Sequence, residues 1–366
     1  MTNGTEVKAA VFLGPGMLEL QRLGAPEPDE GELLVRVTCC TLCGSDLHTY
    51  QGHRAVDVPT ILGHEILGEV RRIGGRVTDL AGRPIEIGDR VTWSVAAHCG
   101  DCFYCERGVP QKCVSLRKYG HERITRDHAL SGGLAEMCHL APGTSLIRVP
   151  DALIDNVACP ANCATATVAG ALRTGGGCRD DVVLVQGAGM LGLTACAMAA
   201  RRGARRVIVC DVDDARLARA ESFGAQDRVS VREGAERLDE VIRYATDGRG
   251  VDLAVELSGS PDAVAHGLNA LRIGGRYVWV GAVSPTPPVE IHPEFIVRRL
   301  LNIHGLHNYT PADLADAVDF LEQSADRYPF GELVTRTFAL EDVEAAFRYA
   351  IDTRPPRVAV TPTDGV

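Results

Sequence analysis

The 366-residue chain has no surplus of positive charge and no run of basic residues. Its 38 Lys and Arg stand against 48 Asp and Glu, a formal net charge of −10. A surface of that sign repels nucleic-acid phosphates and anionic lipid headgroups, so neither is an expected partner. Met1–Glu6 lacks the basic stretch and apolar run of an export signal, which makes the cytoplasm the expected location. Repeats and low-complexity segments are also missing. Cysteine, by contrast, is plentiful at 13 residues. In a chain expected to stay in a reducing compartment, metal ligation explains them better than disulfides.

The length favours two cores, and 45% hydrophobic with 23% charged residues is ordinary for a globular protein. The longest apolar stretch, Val182–Ala200, has the length of a membrane span. It is interrupted by Gln186, Gly187, Gly189 and Gly192, and reads as strand, turn and helix instead.

From Glu6 to about Leu146, short runs such as Glu32–Val37 and Ile66–Val70 alternate with Gly and Pro, and predict a mostly β region. Beyond Asp181 the pattern changes. Apolar strands at Val182–Gln186, Arg206–Cys210, Val251–Leu257, Arg276–Gly281 and Leu301–His304 alternate with helical segments, which predicts a doubly wound parallel α/β sheet. Helices over Pro311–Gln323 and Leu340–Asp352 lead to a last strand, Arg357–Thr361.

Cys99, Cys102, Cys105 and Cys113 are spaced for four thiolates to converge, with Gly100, Gly108 and Pro110 supplying turns. Such a set closes the tetrahedral shell of Zn²⁺ and leaves no place for substrate, so the expected role is structural. An iron–sulfur cluster, or packed unliganded thiols, are the alternatives. A second set of metal-ligand types is dispersed: Cys43-Gly44-Ser45-Asp46-Leu47-His48, Gly63-His64-Glu65, and Asn162-Cys163. Each alone reads equally well as a packed thiol, a turn histidine or a solvated charge.

Gly187-Ala188-Gly189-Met190-Leu191-Gly192 follows an apolar strand and opens a helix, the context in which backbone amides cradle a pyrophosphate. Asp211 ends the next strand. A carboxylate there binds both adenine-ribose hydroxyls and repels a 2′-phosphate, favouring NAD over NADP; helix N-capping is its plainer role.

These segments, in this order, resemble the zinc-dependent medium-chain dehydrogenase/reductase family, and the resemblance covers nearly the whole chain. It implies an N-terminal GroES-like catalytic domain over residues 1–160 with a structural-zinc lobe at about 94–121, a Rossmann domain over 161–305, and a return to the catalytic domain over 306–366. It implies an alcohol–carbonyl oxidoreductase with two Zn²⁺ per chain and NAD, assembled as a homodimer or homotetramer. Cys43, His64 and Cys163 carry over as the catalytic zinc ligands, with Cys159 the competing cysteine, and Glu65 sits behind the metal. Three ligands leave one position where Zn²⁺ acts as a Lewis acid on a substrate oxygen. Ser45 and His48 carry over as the proton relay, Asp46 as the orienter of His64, and Arg357 as a cation approaching the pyrophosphate. A zinc-free NADP-dependent reductase and a non-catalytic scaffold on the same fold are the alternatives.

Trp93, Tyr50, Tyr119 and Leu306 match wall positions of the substrate site in that family. The runs Asn162–Thr167 and Gln186–Gly192 also look like a bacterial group associated with phosphonate metabolism. That likeness implies an anionic substrate with Arg117, Lys118, His121, Arg299 or His307 as donors.

Overall fold

The computed structural model describes residues 6–126 and 128–362; Met1–Thr5, part of the stretch read for export signals, lie outside them. The chain divides into two compact units. Residues 1–166, 310–326 and 330–366 form the first, and residues 167–309 with 327–329 the second.

The first unit is built on a seven-stranded sheet. Its path runs Leu146–Arg148, Arg90–Trp93, Glu65–Ile73, Leu33–Thr41, Arg357–Thr361 and Val334–Ala339, with Met137–Leu140 also paired to Leu33–Thr41. A three-stranded sheet, Met17–Gly24, Glu6–Gly14 and Thr60–Ile61, accompanies it. Alternation along these strands sends Val11, Leu34, Ile66, Trp93 and Val358 into one core, where Leu134 of a connecting segment and Phe347 of the helix Val343–Thr353 join them. Register matters most at Thr41, which pairs with both Glu65 and Ala359. The segments bearing Cys43, His64 and Arg357 therefore begin at neighbouring points on one sheet.

Why does the first unit run to Ala166 rather than 160? Asn162 spends its side-chain amide on the carbonyls of His64 (3.1 Å) and Trp93 (2.8 Å), which ties the segment before Cys163 to the β unit. Its return begins at Thr310, which caps the helix Pro311–Glu322 through a reciprocal bond with Asp313.

The second unit is a six-stranded parallel sheet. Across the sheet its strands run Asp227–Ser230, Arg206–Asp211, Val182–Gln186, Val251–Glu256, Leu271–Trp279 and Asn302–Gly305, which in the chain are the third, second, first, fourth, fifth and sixth. This is the doubly wound Rossmann order, with its reversal between the first and fourth strands. Asp227–Ser230 escapes sequence reading because only Val229 in it is buried; an edge strand needs little apolar content. The apolar stretch read as strand, turn and helix is Val182–Gln186 followed by the helix Met190–Arg201. Among the described residues no helix is long and apolar enough to cross a membrane.

The three glycines between that strand and helix have separate tasks. Gly187 has φ +101°, a backbone region that L side chains rarely adopt. A Cβ at Gly189 would meet nothing within 4 Å, so the face that would receive a phosphate is open. At Gly192 an added Cβ would lie 1.8 Å from the Gly187 carbonyl oxygen, so only glycine lets the helix pack on the turn. Gly192→Ala is accordingly expected to lower stability by about 1–3 kcal/mol through overpacking and to weaken nicotinamide-dinucleotide binding. Urea unfolding and NADH titration measure both; a variant equal to wild type in each would mean that the turn relaxes freely.

Candidate active site

Asp46 organises the dispersed ligand set. It lies in the first turn of the helix Gly44–Tyr50, which follows directly from the strand ending at Thr41. Only 1% exposed, its carboxylate accepts from the Cys43 N–H (2.9 Å) and the Gly63 N–H (3.2 Å), and contacts His64 Nδ1 at 3.3 Å. A carboxylate acceptor fixes the proton on Nδ1, so Nε2 is the nitrogen turned to a metal. Cys163 Sγ lies 3.4 Å from that Nε2. The ligand atoms of Cys43, His64, Glu65 and Cys163 all fall within 4.8 Å of one another.

Cys159, the competing cysteine, points elsewhere. Its Sγ sits against the carbonyl oxygens of Cys39 (3.4 Å) and Glu65 (3.3 Å) and the Thr41 hydroxyl (3.6 Å), buried in the core.

The charge states of the set are coupled. A hydrogen bond from Cys163, helped by the Arg357 charge, holds the Cys43 thiol well below its ordinary range against the effect of burial. Cys163, which keeps the shared proton, is pushed correspondingly up. Burial disfavours the His64 imidazolium, yet the charge and hydrogen bond of Asp46, joined by Cys43, outweigh it and bring the pKa to about 10. Two half-buried thiols and a buried, oriented imidazole suit zinc chemically, and a divalent ion entering the set displaces the protons they hold.

The Arg357 guanidinium is buried on Glu65, with Nε and Nη2 each 2.7 Å from one carboxylate oxygen, a partner the sequence did not single out. Nη2 also lies 3.6 Å from Cys43 Sγ, and Thr41 Oγ1 donates to Glu65 at 2.5 Å. Side-chain exposure is 7% for Arg357 and 0% for Glu65. Burial pushes the Glu65 carboxyl up while the guanidinium opposes it. The pair is thus a charged floor under the ligand set.

Ser45 is half-buried and His48 exposed, three residues apart on the same short helix and so on one face of it. In the lobe, Cys113 Sγ is 3.3 Å from Cys99, Cys102 Sγ 3.6 Å from Cys105, and all four sulfurs lie within 4.8 Å. Main-chain N–H groups, first that of Cys105, lower the Cys102 thiol to about 6, as suits a thiolate ligand.

In the second unit Asp211 accepts from the Ala188 N–H of the glycine turn (2.6 Å) and from the Asp213 N–H (2.9 Å). Capping of the following helix falls to Asp213 instead. The wall positions are less exposed than the resemblance implies. Trp93 is buried in the core, Tyr119 bonds Thr144 through its hydroxyl (2.5 Å), and Tyr50 stacks on Phe347. Of the suggested anion donors, Arg117 lies on His128, while Arg299, which bonds the Leu271 carbonyl, and His307 belong to the second unit, as does the wall residue Leu306. Lys118 and His121 do stand near the ligand set: the His121 ring is 5.0 Å from that of His64 and accepts from Arg54, a residue that nothing in the sequence singled out.

A β unit carrying an oriented thiol–imidazole set, with a doubly wound dinucleotide-type unit in the same chain, is the layout of a nicotinamide-linked oxidoreductase. The chain belongs to the medium-chain dehydrogenase/reductase family: residues 29–151 match the alcohol dehydrogenase GroES-like domain and residues 191–323 the zinc-binding dehydrogenase domain. It is 32% identical to 5-exo-hydroxycamphor dehydrogenase of Pseudomonas putida, covering 93% of this chain and 94% of that protein. A sorbitol dehydrogenase of Halalkalibacterium halodurans is 29% identical, over 96% of this chain and 97% of its own. The crystal structure of an alcohol dehydrogenase from Thermotoga maritima superposes with a TM-score of 0.93 at 28% identity, covering 98% of this chain and 100% of that one. The chain is therefore an oxidoreductase of the alcohol dehydrogenase type.

Removing one member of a buried ion pair strands the other charge. Glu65→Gln is expected to destabilise the protein by about 3–5 kcal/mol, and Glu65→Leu combined with Arg357→Met by much less. Denaturant unfolding of both variants tests this, and a double variant weaker than Glu65→Gln would reverse the assignment.

Proposed function

We propose that the chain is a zinc-dependent, NAD-linked dehydrogenase that interconverts a small alcohol and its aldehyde or ketone. The observation that carries the reading is the Asp46 carboxylate, which joins Cys43, Gly63 and His64 so that Nε2 meets Cys163. In this reading Cys43, His64 and Cys163 hold a catalytic zinc, and Cys99, Cys102, Cys105 and Cys113 a structural one. When bound, the catalytic zinc supplies a Lewis acid for the substrate oxygen and NAD the hydride acceptor.

The protein's own groups do the rest. Ser45 hydrogen-bonds the substrate hydroxyl and accepts its proton while releasing its own toward His48, which, exposed on the same helix face, passes a proton to solvent. Asp46 keeps His64 in the metal-binding tautomer. Glu65 and Arg357 together set a near-neutral charge beneath the site, with Glu65 too heavily bonded to leave it readily. In the second unit the first-turn amides beyond Gly189 receive the pyrophosphate and Asp211 the adenine ribose. Asp211 gives up its bond to Ala188 when it does so, a modest cost because that bond is replaced.

The purified protein is expected to hold two zinc ions per chain and to form NADH in a screen of small alcohols, polyols and hydroxyphosphonates. His64→Ala should keep its fold and lobe zinc but lose at least about a thousandfold in kcat/KM, the scale of a lost Lewis acid. Full activity in that variant would remove the zinc reading. The cofactor assignment has its own check: Asp211→Gly should lower the NAD-over-NADP preference by about 10- to 100-fold, as loss of a charge-assisted hydrogen bond implies. A wild-type enzyme preferring NADP would overturn it.

A further inference from the structure

The segment after the cysteine lobe is pressed against the catalytic ligand segment. Gly120, at φ +75°, lies so near that an added Cβ would stand 2.6 Å from the Gly63 carbonyl oxygen and 3.1 Å from His64 Cβ. This close approach sets the His121 ring, next to Gly120, 5.0 Å from that of His64, and Lys118, two residues before Gly120, within electrostatic reach of His121 and Cys163. His121 Nδ1 is 2.8 Å from the Tyr119 carbonyl, which only accepts, so Nδ1 carries the hydrogen. Nε2 is 2.6 Å from Arg54 Nη1, which only donates, so Nε2 is the lone pair and the ring is neutral.

Arg54 is thereby anchored by a neutral ring, and among the described residues no carboxylate pairs with it or with the Lys118 ammonium. Glu122 is adjacent in sequence but accepts from the Lys118 main-chain N–H. Lys118 is held below its ordinary pKa by burial and by the Arg54 charge, so the two cations sit close enough to repel. Half-buried like charges without a counterion, next to a metal-ligand set, cost stability unless an anion joins them.

We propose that Arg54 and Lys118 form the anion-recognising end of the substrate site, so that the substrate is a short alcohol carrying a carboxylate or a phosphorus oxyanion. The proposal rests on the dehydrogenase reading for the alcohol end of that molecule. The carbinol is directed to Cys43, His64 and Cys163, and the His121 ring is the spacer that sets the distance to the charge.

The test uses the zinc-loaded full chain. Titration calorimetry with methylphosphonate and with acetate is expected to give saturable binding, tighter for whichever anion type the site takes. Arg54→Met and Lys118→Met should each weaken it about 10- to 100-fold, with unchanged zinc content and an equal or higher melting temperature of the anion-free protein reporting that the fold is kept. Arg54→Lys should recover part of the loss. In steady-state assays the kcat/KM ratio of glycolate or hydroxymethylphosphonate to ethanol should favour the anion and fall at least about tenfold in either Met variant. Anion binding that neither substitution alters, or no binding at all, overturns the proposal. Anion binding without turnover of any alcohol would retain this site and defeat the dehydrogenase reading; turnover of neutral alcohols with no anion binding would do the reverse.

Discussion

The buried pair of Arg357 and Glu65 is the constraint on which the rest of the site depends. Two ions taken out of water are tolerable only when geometry is good and spare hydrogen-bonding capacity is used. Here the guanidinium forks onto both carboxylate oxygens and the Thr41 hydroxyl adds a third bond. Meeting that requirement fixes three strands in register, because Thr41, Glu65 and Arg357 come from adjacent strands of one sheet. Cys43 lies two residues beyond Thr41 and His64 immediately before Glu65, so the register that satisfies the ions also brings the ligands together. Packing alone would not demand this register, since apolar alternation tolerates a slip of two residues that an ion pair does not.

Asp46 completes the arrangement by a different route. It caps its own short helix through the Cys43 N–H and reaches across to Gly63 and His64. A helix of this length has little stability of its own, and its hold on the sheet comes from that carboxylate. The same residue thus stabilises a local element and selects a histidine tautomer, and no substitution separates the two tasks cleanly.

Which parts of this were legible in the sequence follows from the range of the interactions. The strand, glycine turn and helix over Val182–Arg201 were readable because every requirement lies within one βα unit: apolar run, positive-φ glycine, open glycine, close-packing glycine. The four-cysteine lobe was readable for the same reason, its sulfurs being neighbours in sequence and in space. The partner of Arg357 was not, because Glu65 is 292 positions away and a basic residue opening an apolar strand has no signature of a buried acid. Asn162 was missed likewise: its neighbour Cys163 drew the reading, while its own bonds to His64 and Trp93 are tertiary. Arg54 carried no signal at all, since a loop arginine reads as solvated until the His121 ring is found against it.

Charge around the ligand set is arranged unevenly, and the unevenness is local rather than global. Beneath the set the Glu65 and Arg357 charges cancel, whereas beside it Arg54 and Lys118 have no opposing carboxylate among the described residues. The chain as a whole is at −10, a field that by itself would keep small anions away. At physiological ionic strength that field is screened beyond about 8 Å, so an arriving molecule responds to the nearest charges and not to the total. Overall acidity and a cationic recognition site are therefore compatible. Half-burial strengthens the nearby cations further, because the medium around them is less polarisable than water. The same low-dielectric setting that raises the cost of leaving Arg54 and Lys118 unmatched is what would make a matched anion bind selectively.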